Sequence, residues 1–215
     1  MAQLKNSSED FDVFFVVEGR QVSAHKAVLR LRAPALLELA STNRNEPSEI
    51  SEVCSAKIFE DIVDYAYTGN EPCGYDDLEA TLLLLVGADK VACTNLKMDL
   101  EANVVEKFLD ETNAIRLLVF AESHTCALLT EAATELICQK GKQMIASPDW
   151  KLITESGEIA SKLLQQMFRG PLSECDPKMD VSTLRKSLAE AGENVGGSYE
   201  TLVCRWKQLS SKMDE

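Results

Sequence analysis

The stretch Val22–Leu29, with the sequence VSAHKAVL, marks a change in the pattern of the chain. The preceding segment 12–23, DVFFVVEGRQVS, combines a run of β-branched and aromatic residues with a glycine. This predicts a buried strand, a tight turn and a short return strand. Downstream, Ala27, Val28 and Leu31 fall on one face of a helix. The stretch is therefore predicted to join a β-hairpin to a helix.

His25 and Lys26 stand side by side at this junction, and the chain has two histidines in all. A general acid or base needs a partner carboxylate or nucleophile. No Gly-rich phosphate loop, nucleophile elbow or paired-carboxylate motif accompanies His25, and His124 lacks a partner at metal-ligand spacing. We interpret His25 as a helix-start residue that is hydrogen-bonded in the core. We expect no catalytic residue, metal site, cofactor or small-molecule substrate, and hence no enzyme.

Composition narrows the class of protein. The 215 residues suit one or two domains, and an apolar content of 45% can build a core without metals or disulfides. The net charge of −13 disfavours general attraction to nucleic acid or to an anionic membrane. No apolar run approaches the roughly 18–20 residues that span a bilayer, and no apolar secretory signal is apparent. Seven widely spaced cysteines predict free thiols in a reducing compartment, the cytosol or the nucleus.

Beyond the junction the pattern is mainly helical. Segment 56–69, AKIFEDIVDYAYTG, has helical apolar spacing and ends at a glycine, as helices often do. After Tyr75 strand signals cease and amphipathic helices follow up to residue 168. Glycine and prolines predict a linker at 169–177, followed by helix, glycine-containing connector and helix. The predicted fold is α+β and mostly helical.

Several of these features occur together in one family. Asp12-Val13, Gly19, Ala24-His25-Lys26, Arg32-Ala33-Pro34 and the YAYTGN segment at 65–70 stand in the order found in the BTB/POZ domain. The chain resembles that family over 11–112, which implies a small sheet flanked by helices after a flexible N-terminus at 1–10. Segment 113–168, with its SPDW turn at 147–150, resembles the BACK-like helical extension of BTB adaptors.

The BTB resemblance carries two expectations about site residues. Residues matching Asp12 and Lys26 form a buried charged pair near the dimer seam of the family. We therefore predict a junction, close to a possible homodimer interface, that consists of Asp12, His25, Lys26 and Arg32. Segment 41–50, STNRNEPSEI, stands where cullin-binding members carry an apolar-x-Glu element, although no apolar residue lies two positions before either glutamate. The predicted cullin surface consists of Arg44, Glu46, Glu49, Ile50 and Tyr67.

The C-terminal segment 178–212 resembles the SAP motif, a DNA-binding helical hairpin. The spacing of Leu184, Leu188, Gly192, Gly197, Leu202 and Arg205 fits that pattern. Glu193 and Tyr199 depart from it, and the second departure removes a phosphate contact that the family would use. The predicted DNA-contacting residues are Arg185, Lys186, Gly197, Arg205 and Lys207.

Two functions compete on this evidence. The leading hypothesis is a non-enzymatic scaffold that acts as substrate adaptor of a cullin-RING ubiquitin ligase, with the tail as the available substrate-selecting element. The alternative is a chromatin- or transcription-associated factor. In that case BTB self-association would pair two weak SAP-like tails and raise their DNA affinity through avidity.

Overall fold

The computed structural model describes residues 11–51, 55–168 and 179–213. The predicted flexible N-terminus at 1–10 and linker at 169–177 lie outside the described residues, as does residue 178 at the start of the SAP-like segment. The chain divides into two compact units, Met1–Leu100 and Glu101–Glu215. The finer boundaries at 112, 168 and 178 stay predictions.

The N-terminal unit contains a three-stranded sheet of order β2-β1-β3. Its strands are β1 (Val13–Val17), β2 (Arg20–Ala24) and β3 (Ser48–Glu49). β1 pairs antiparallel with β2, and Val13 stands opposite Ala24. The two turn residues between them, Glu18 and Gly19, both have positive φ, at 50° and 75°. Positive φ at both positions is the geometry that matches a two-residue turn to the twist of its strands. The predicted hairpin is therefore present.

In the described part of this unit, five helices begin. They are α1 (Lys26–Arg32), α2 (Pro34–Glu38), α3 (Ala56–Thr68), α4 (Leu78–Lys90) and α5 (Thr94–Lys107). Their ends follow local chemistry, because Pro34 opens α2 and the Ser55 hydroxyl accepts from the Ile58 amide at the start of α3. Gly69 ends α3 in the left-handed conformation, with φ of 71°.

The core of the N-terminal unit lies between β1 and the helices. Phe15 of β1 is fully buried, and its ring meets that of Phe59 in α3 edge to face at 5.1 Å. Leu29 and Leu36 are also fully buried and hold α1 and α2 in the same unit. Each such side chain contributes about 1.5–3 kcal/mol through removal of apolar surface from water. The continuous apolar character of β1 thus has its cause in burial on both faces.

The described part of the C-terminal unit is helical. Beyond the end of α5 it contains α6 (Ala114–Ser123), α7 (Ala127–Gln139), α8 (Gly141–Ala146), α9 (Trp150–Glu155), α10 (Gly157–Phe168), α11 (Val181–Glu190) and α12 (Tyr199–Met213). One core joins α6 to α10 around Ile115, Leu118 and Ile137. A second core packs α11 and α12 against Ala127 at the start of α7. The α+β, mostly helical fold with a C-terminal helix-loop-helix is confirmed.

Candidate interaction surfaces

His25 lies at the strand-to-helix junction that its sequence context predicts. It is the N-terminal cap residue of α1 and is 9% exposed. Its backbone N–H donates to the Tyr67 hydroxyl at 2.8 Å, and its Nδ1 lies 2.7 Å from the same oxygen. The ring packs against that of Phe11 at 4.8 Å. His25 therefore connects α1 to α3 as a buried, hydrogen-bonded residue at the start of α1.

The predicted buried charged pair between Asp12 and Lys26 is wrong in this chain. The Asp12 carboxylate is exposed and accepts a hydrogen bond of 2.6 Å from the backbone N–H of Lys26, the first residue of α1. Among the described residues, no ion pair joins the two side chains. The reason lies in helix geometry, since the first amides of a helix lack intrahelical acceptors and take a nearby carboxylate instead.

Arg32, the last member of the predicted junction, is exposed at the end of α1. Two exposed leucines that the sequence pattern did not single out lie near it in the chain. Leu31 of α1 is 67% exposed, and Leu39, just after α2, is 42% exposed. The helical pattern placed Leu31 on the apolar face of α1, and this prediction is wrong because the side chain is exposed. The basic end of α1 therefore carries an apolar surface that no described residue covers.

Segment 41–50 has a defined internal structure. Phe14 of β1 exchanges backbone hydrogen bonds with Ser41, at 2.8 and 3.3 Å. The Asn43 side chain accepts from the Asn45 amide and donates to the Glu46 carboxylate at 3.2 Å. Local bonds of this kind stabilise a turn without further secondary structure. Arg44 lies over the Phe14 ring, with its guanidinium carbon 6.0 Å from the ring centroid.

Only some residues of the predicted cullin surface are accessible to a partner. Arg44, Glu46 and Glu49 are exposed, as a contact surface requires. Ile50 and Tyr67 are buried, at 7% and 2% exposure, so their assignment to that surface is wrong. Ile50 follows β3 into the core, and its N–H donates to Val16. Tyr67 is held inside by its bonds to His25.

Sequence reasoning missed a set of carboxylate contacts in the same unit. Asp61 of α3 is 9% exposed and binds the Lys57 ammonium through both oxygens, at 2.7 and 2.6 Å. The Tyr75 hydroxyl also donates to Asp61, at 2.7 Å, and the Tyr65 hydroxyl donates to Asp99 at 2.6 Å. Burial, together with the adjacent carboxylate, raises the pKa of both phenols. These contacts fix helix positions and form no reactive cluster.

The predicted DNA-contacting residues differ in exposure and in their partners. Arg185 is 8% exposed and its Nη2 lies 3.1 Å from the Glu101 carboxylate, so its assignment to a DNA surface is wrong. Arg205 donates through Nη1 to the carbonyl oxygens of Asn194 and Gly196 in the connector. Lys186 and Lys207 are exposed, and Gly197 adopts φ of 114° in the connector. A phosphate would have to compete with internal partners for both arginines.

In ranges 11–51, 55–168 and 179–213, no group of three or more His, Cys, Asp or Glu side chains is placed to hold a metal ion. Across those same ranges, no helix is long and apolar enough to cross a membrane. The described N-terminal unit presents a hydrogen-bonded polar loop at 41–49 and the exposed apolar side chains Leu31 and Leu39.

Comparison with known proteins identifies the family of the chain. Residues 1–108 match the family model of the BTB/POZ domain. Since the match spans half of the chain, the protein belongs to the BTB/POZ domain family, whose members act in protein–protein interaction. The match does not extend to the BACK-like and SAP-like segments, which stay predictions.

Curated relatives share the family and differ in length. The chain is 25% identical to mouse TD and POZ domain-containing protein 1 over 184 residues, which are 83% of this chain and 50% of that protein. It is 31% identical to the Caenorhabditis elegans protein maternal effect lethal 26 over 73% of this chain and 41% of that one. Human Kelch-like protein 28 is 28% identical over 71% and 27%, respectively. The chain thus spans about half, or less, of the length of these relatives.

Proposed function

We propose that this BTB/POZ chain is a non-enzymatic scaffold that serves as the substrate adaptor of a cullin-RING ubiquitin ligase. The observation that carries the proposal is the ordered loop 41–49, which projects Arg44, Glu46 and Glu49 from the edge of the sheet. The Phe14–Ser41 bridge and the turn around Asn43 hold the loop before a partner arrives. A preformed loop loses less conformational entropy on binding than a flexible one.

The composition of the loop sets the kind of contact. It lacks the apolar-x-Glu element of other cullin-binding members, so complementary charge and hydrogen bonds supply more of the affinity. Such contacts favour fast association and lose strength as salt rises. The affinity of the adaptor for cullin is therefore expected to fall more steeply with rising ionic strength than the affinity of a complex held by apolar contacts.

Self-association of the BTB unit is part of the same proposal. Leu31 is 67% exposed on α1, beside the exposed Arg30 and Arg32. Burial of such a side chain against a second copy would contribute about 1.5–3 kcal/mol. A dimer would bring two substrate-selecting surfaces to one ligase and raise the effective affinity for a multivalent substrate.

The test is titration of the full chain against a purified cullin N-terminal region by calorimetry. Charge reversal of Arg44, Glu46 and Glu49 is expected to weaken binding at least about tenfold, as loss of rim charges and their hydrogen bonds does. Charge reversal of the exposed Lys151 in α9 is the matched control and leaves binding unchanged. If titration of the unmodified chain into cullin produces no heat of binding, the adaptor function is ruled out.

A further inference from the structure

A buried ion pair links two distant parts of the C-terminal unit. The Nη2 atom of Arg185 in α11 lies 3.1 Å from Oε1 and 3.4 Å from Oε2 of Glu101 in α5. The two side chains are 9% and 1% exposed. Within the described part of the chain, the buried Nε of Arg185 has no hydrogen-bond partner. Glu101 is therefore the group that neutralises this guanidinium.

Glu101 also contacts a third helix. Its Oε2 accepts the backbone N–H of Leu128 at 3.0 Å, in the first turn of α7. Amides at that position have no acceptor within their own helix. One carboxylate thus satisfies a helix N-terminus and a buried arginine at once, and it connects α5, α7 and α11.

A second glutamate, on α7, accepts the backbone N–H of a residue at the start of α11. Glu131 of α7 accepts the N–H of Val181, the first residue of α11, at 3.1 Å. Between these polar contacts lies an apolar core. Its members, each at most 2% exposed, are Ala127, Val181, Leu184, Leu188 and Leu202. The α11–α12 hairpin therefore packs its apolar face on α7, with a glutamate contact at each side.

We infer that the α11–α12 hairpin is the closing element of the C-terminal unit, held in position by the Glu101–Arg185 pair, and not an autonomous module. Apolar packing is non-directional and tolerates small shifts in position. A buried ion pair does not, because separation of the two groups leaves each charge buried without a partner. The pair therefore fixes the register of the hairpin against α5 and α7.

This role explains why a SAP-like spacing gives a surface unsuited to DNA. The leucines that fit the motif are the residues buried against α7, and the arginine next to Leu184 faces the same interior. On the outward side of α12, Cys204, Lys207 and Gln208 are exposed. A partner that needs the inward side must first displace the hairpin from Glu101.

Hydrogen–deuterium exchange of the full chain tests the inference. We compare the unmodified protein with Glu101→Gln and Arg185→Gln, and with Lys186→Gln as the control, since Lys186 is exposed on the same helix. Amides of 181–190 and 199–210 are expected to exchange at least about tenfold faster in the first two variants, because each leaves an uncompensated buried group. The Lys186 variant stays within about twofold of the unmodified protein.

A double variant keeps the test decisive if a single variant loses its fold. Glu101→Leu with Arg185→Leu removes both charges and retains apolar volume. It is expected to recover hairpin protection relative to either single variant, since replacement of a buried pair by apolar residues is far less costly than removal of one partner. Unchanged hairpin exchange in both single variants would overturn the inference. So would a double variant that exchanges as fast as they do.

Discussion

The hydroxyl of Tyr67 serves two groups of His25, lying 2.8 Å from its backbone nitrogen and 2.7 Å from its Nδ1. The hydroxyl oxygen accepts the backbone N–H, so its own proton is free to donate to Nδ1. This arrangement places the imidazole proton on Nε2. Two-dimensional 15N NMR of the imidazole rings should therefore show that the neutral ring of His25 is the Nε2–H tautomer. A protonated Nδ1 in the neutral ring would contradict the assignment.

Removal of that hydroxyl should loosen the junction. Tyr67→Phe leaves the buried amide and Nδ1 of His25 without their partner, which costs about 1–3 kcal/mol. Exchange of the amides of α1 and α3 reports the loss locally. Tyr199→Phe is the control, because it removes a tyrosine hydroxyl from the C-terminal unit, where that hydroxyl donates to the Met179 carbonyl. Equal effects of the two changes on the amides of α1 and α3 would contradict a local role of Tyr67.

The Asp12 carboxylate should stabilise the start of α1. It accepts from the first amide of that helix at 2.6 Å, where negative charge is also favoured by the helix dipole. Asp12→Ala is expected to destabilise the N-terminal unit by about 0.5–2 kcal/mol. Asp12→Asn keeps an oxygen acceptor and should lose less than half of that. Urea unfolding followed by circular dichroism measures both, and a larger loss for Asn than for Ala would refute the capping role.

Three of the four tyrosines should titrate late. Burial raises the pKa of Tyr65, Tyr67 and Tyr75 above the ordinary value near 10, and nearby carboxylates raise it further. Because the neutral phenol is favoured in the folded state, this contribution to stability is complete below pH 10 and is lost as pH rises further. Absorbance at 295 nm should show a delayed rise from these three phenols that appears with unfolding. Ionisation of all three near pH 10 without unfolding would contradict their burial.

The sequence predicted the parts of the fold that rest on local pattern. The hairpin, the end of α3 at Gly69 and the C-terminal helix-loop-helix follow from turn chemistry and apolar spacing. The partners of Glu101 and Tyr67 could not be predicted in this way, since they join residues 84 and 42 positions apart. Ile50 and Arg185 were misplaced for the same reason, because their burial depends on tertiary partners.

Arg205 contacts the connector of the C-terminal hairpin, and its substitution distinguishes a role in stability from a role in DNA binding. The Arg205 guanidinium donates to the carbonyls of Asn194 and Gly196, so Arg205→Ala removes two hydrogen bonds of a partly exposed connector and should destabilise the C-terminal unit by about 0.5–1.5 kcal/mol. Lys207→Ala, at an exposed site two residues away, should cost less than about 0.5 kcal/mol.

Fluorescence anisotropy with a duplex DNA gives the second readout for these variants. With a net charge of −13 and both arginines in internal contacts, the full chain should bind the duplex weakly or not at all near physiological salt. Arg205→Ala should leave that result unchanged. Tight, salt-dependent binding that Arg205→Ala and Lys186→Ala both weaken, with no loss of stability, would instead establish the hairpin as a DNA-binding surface.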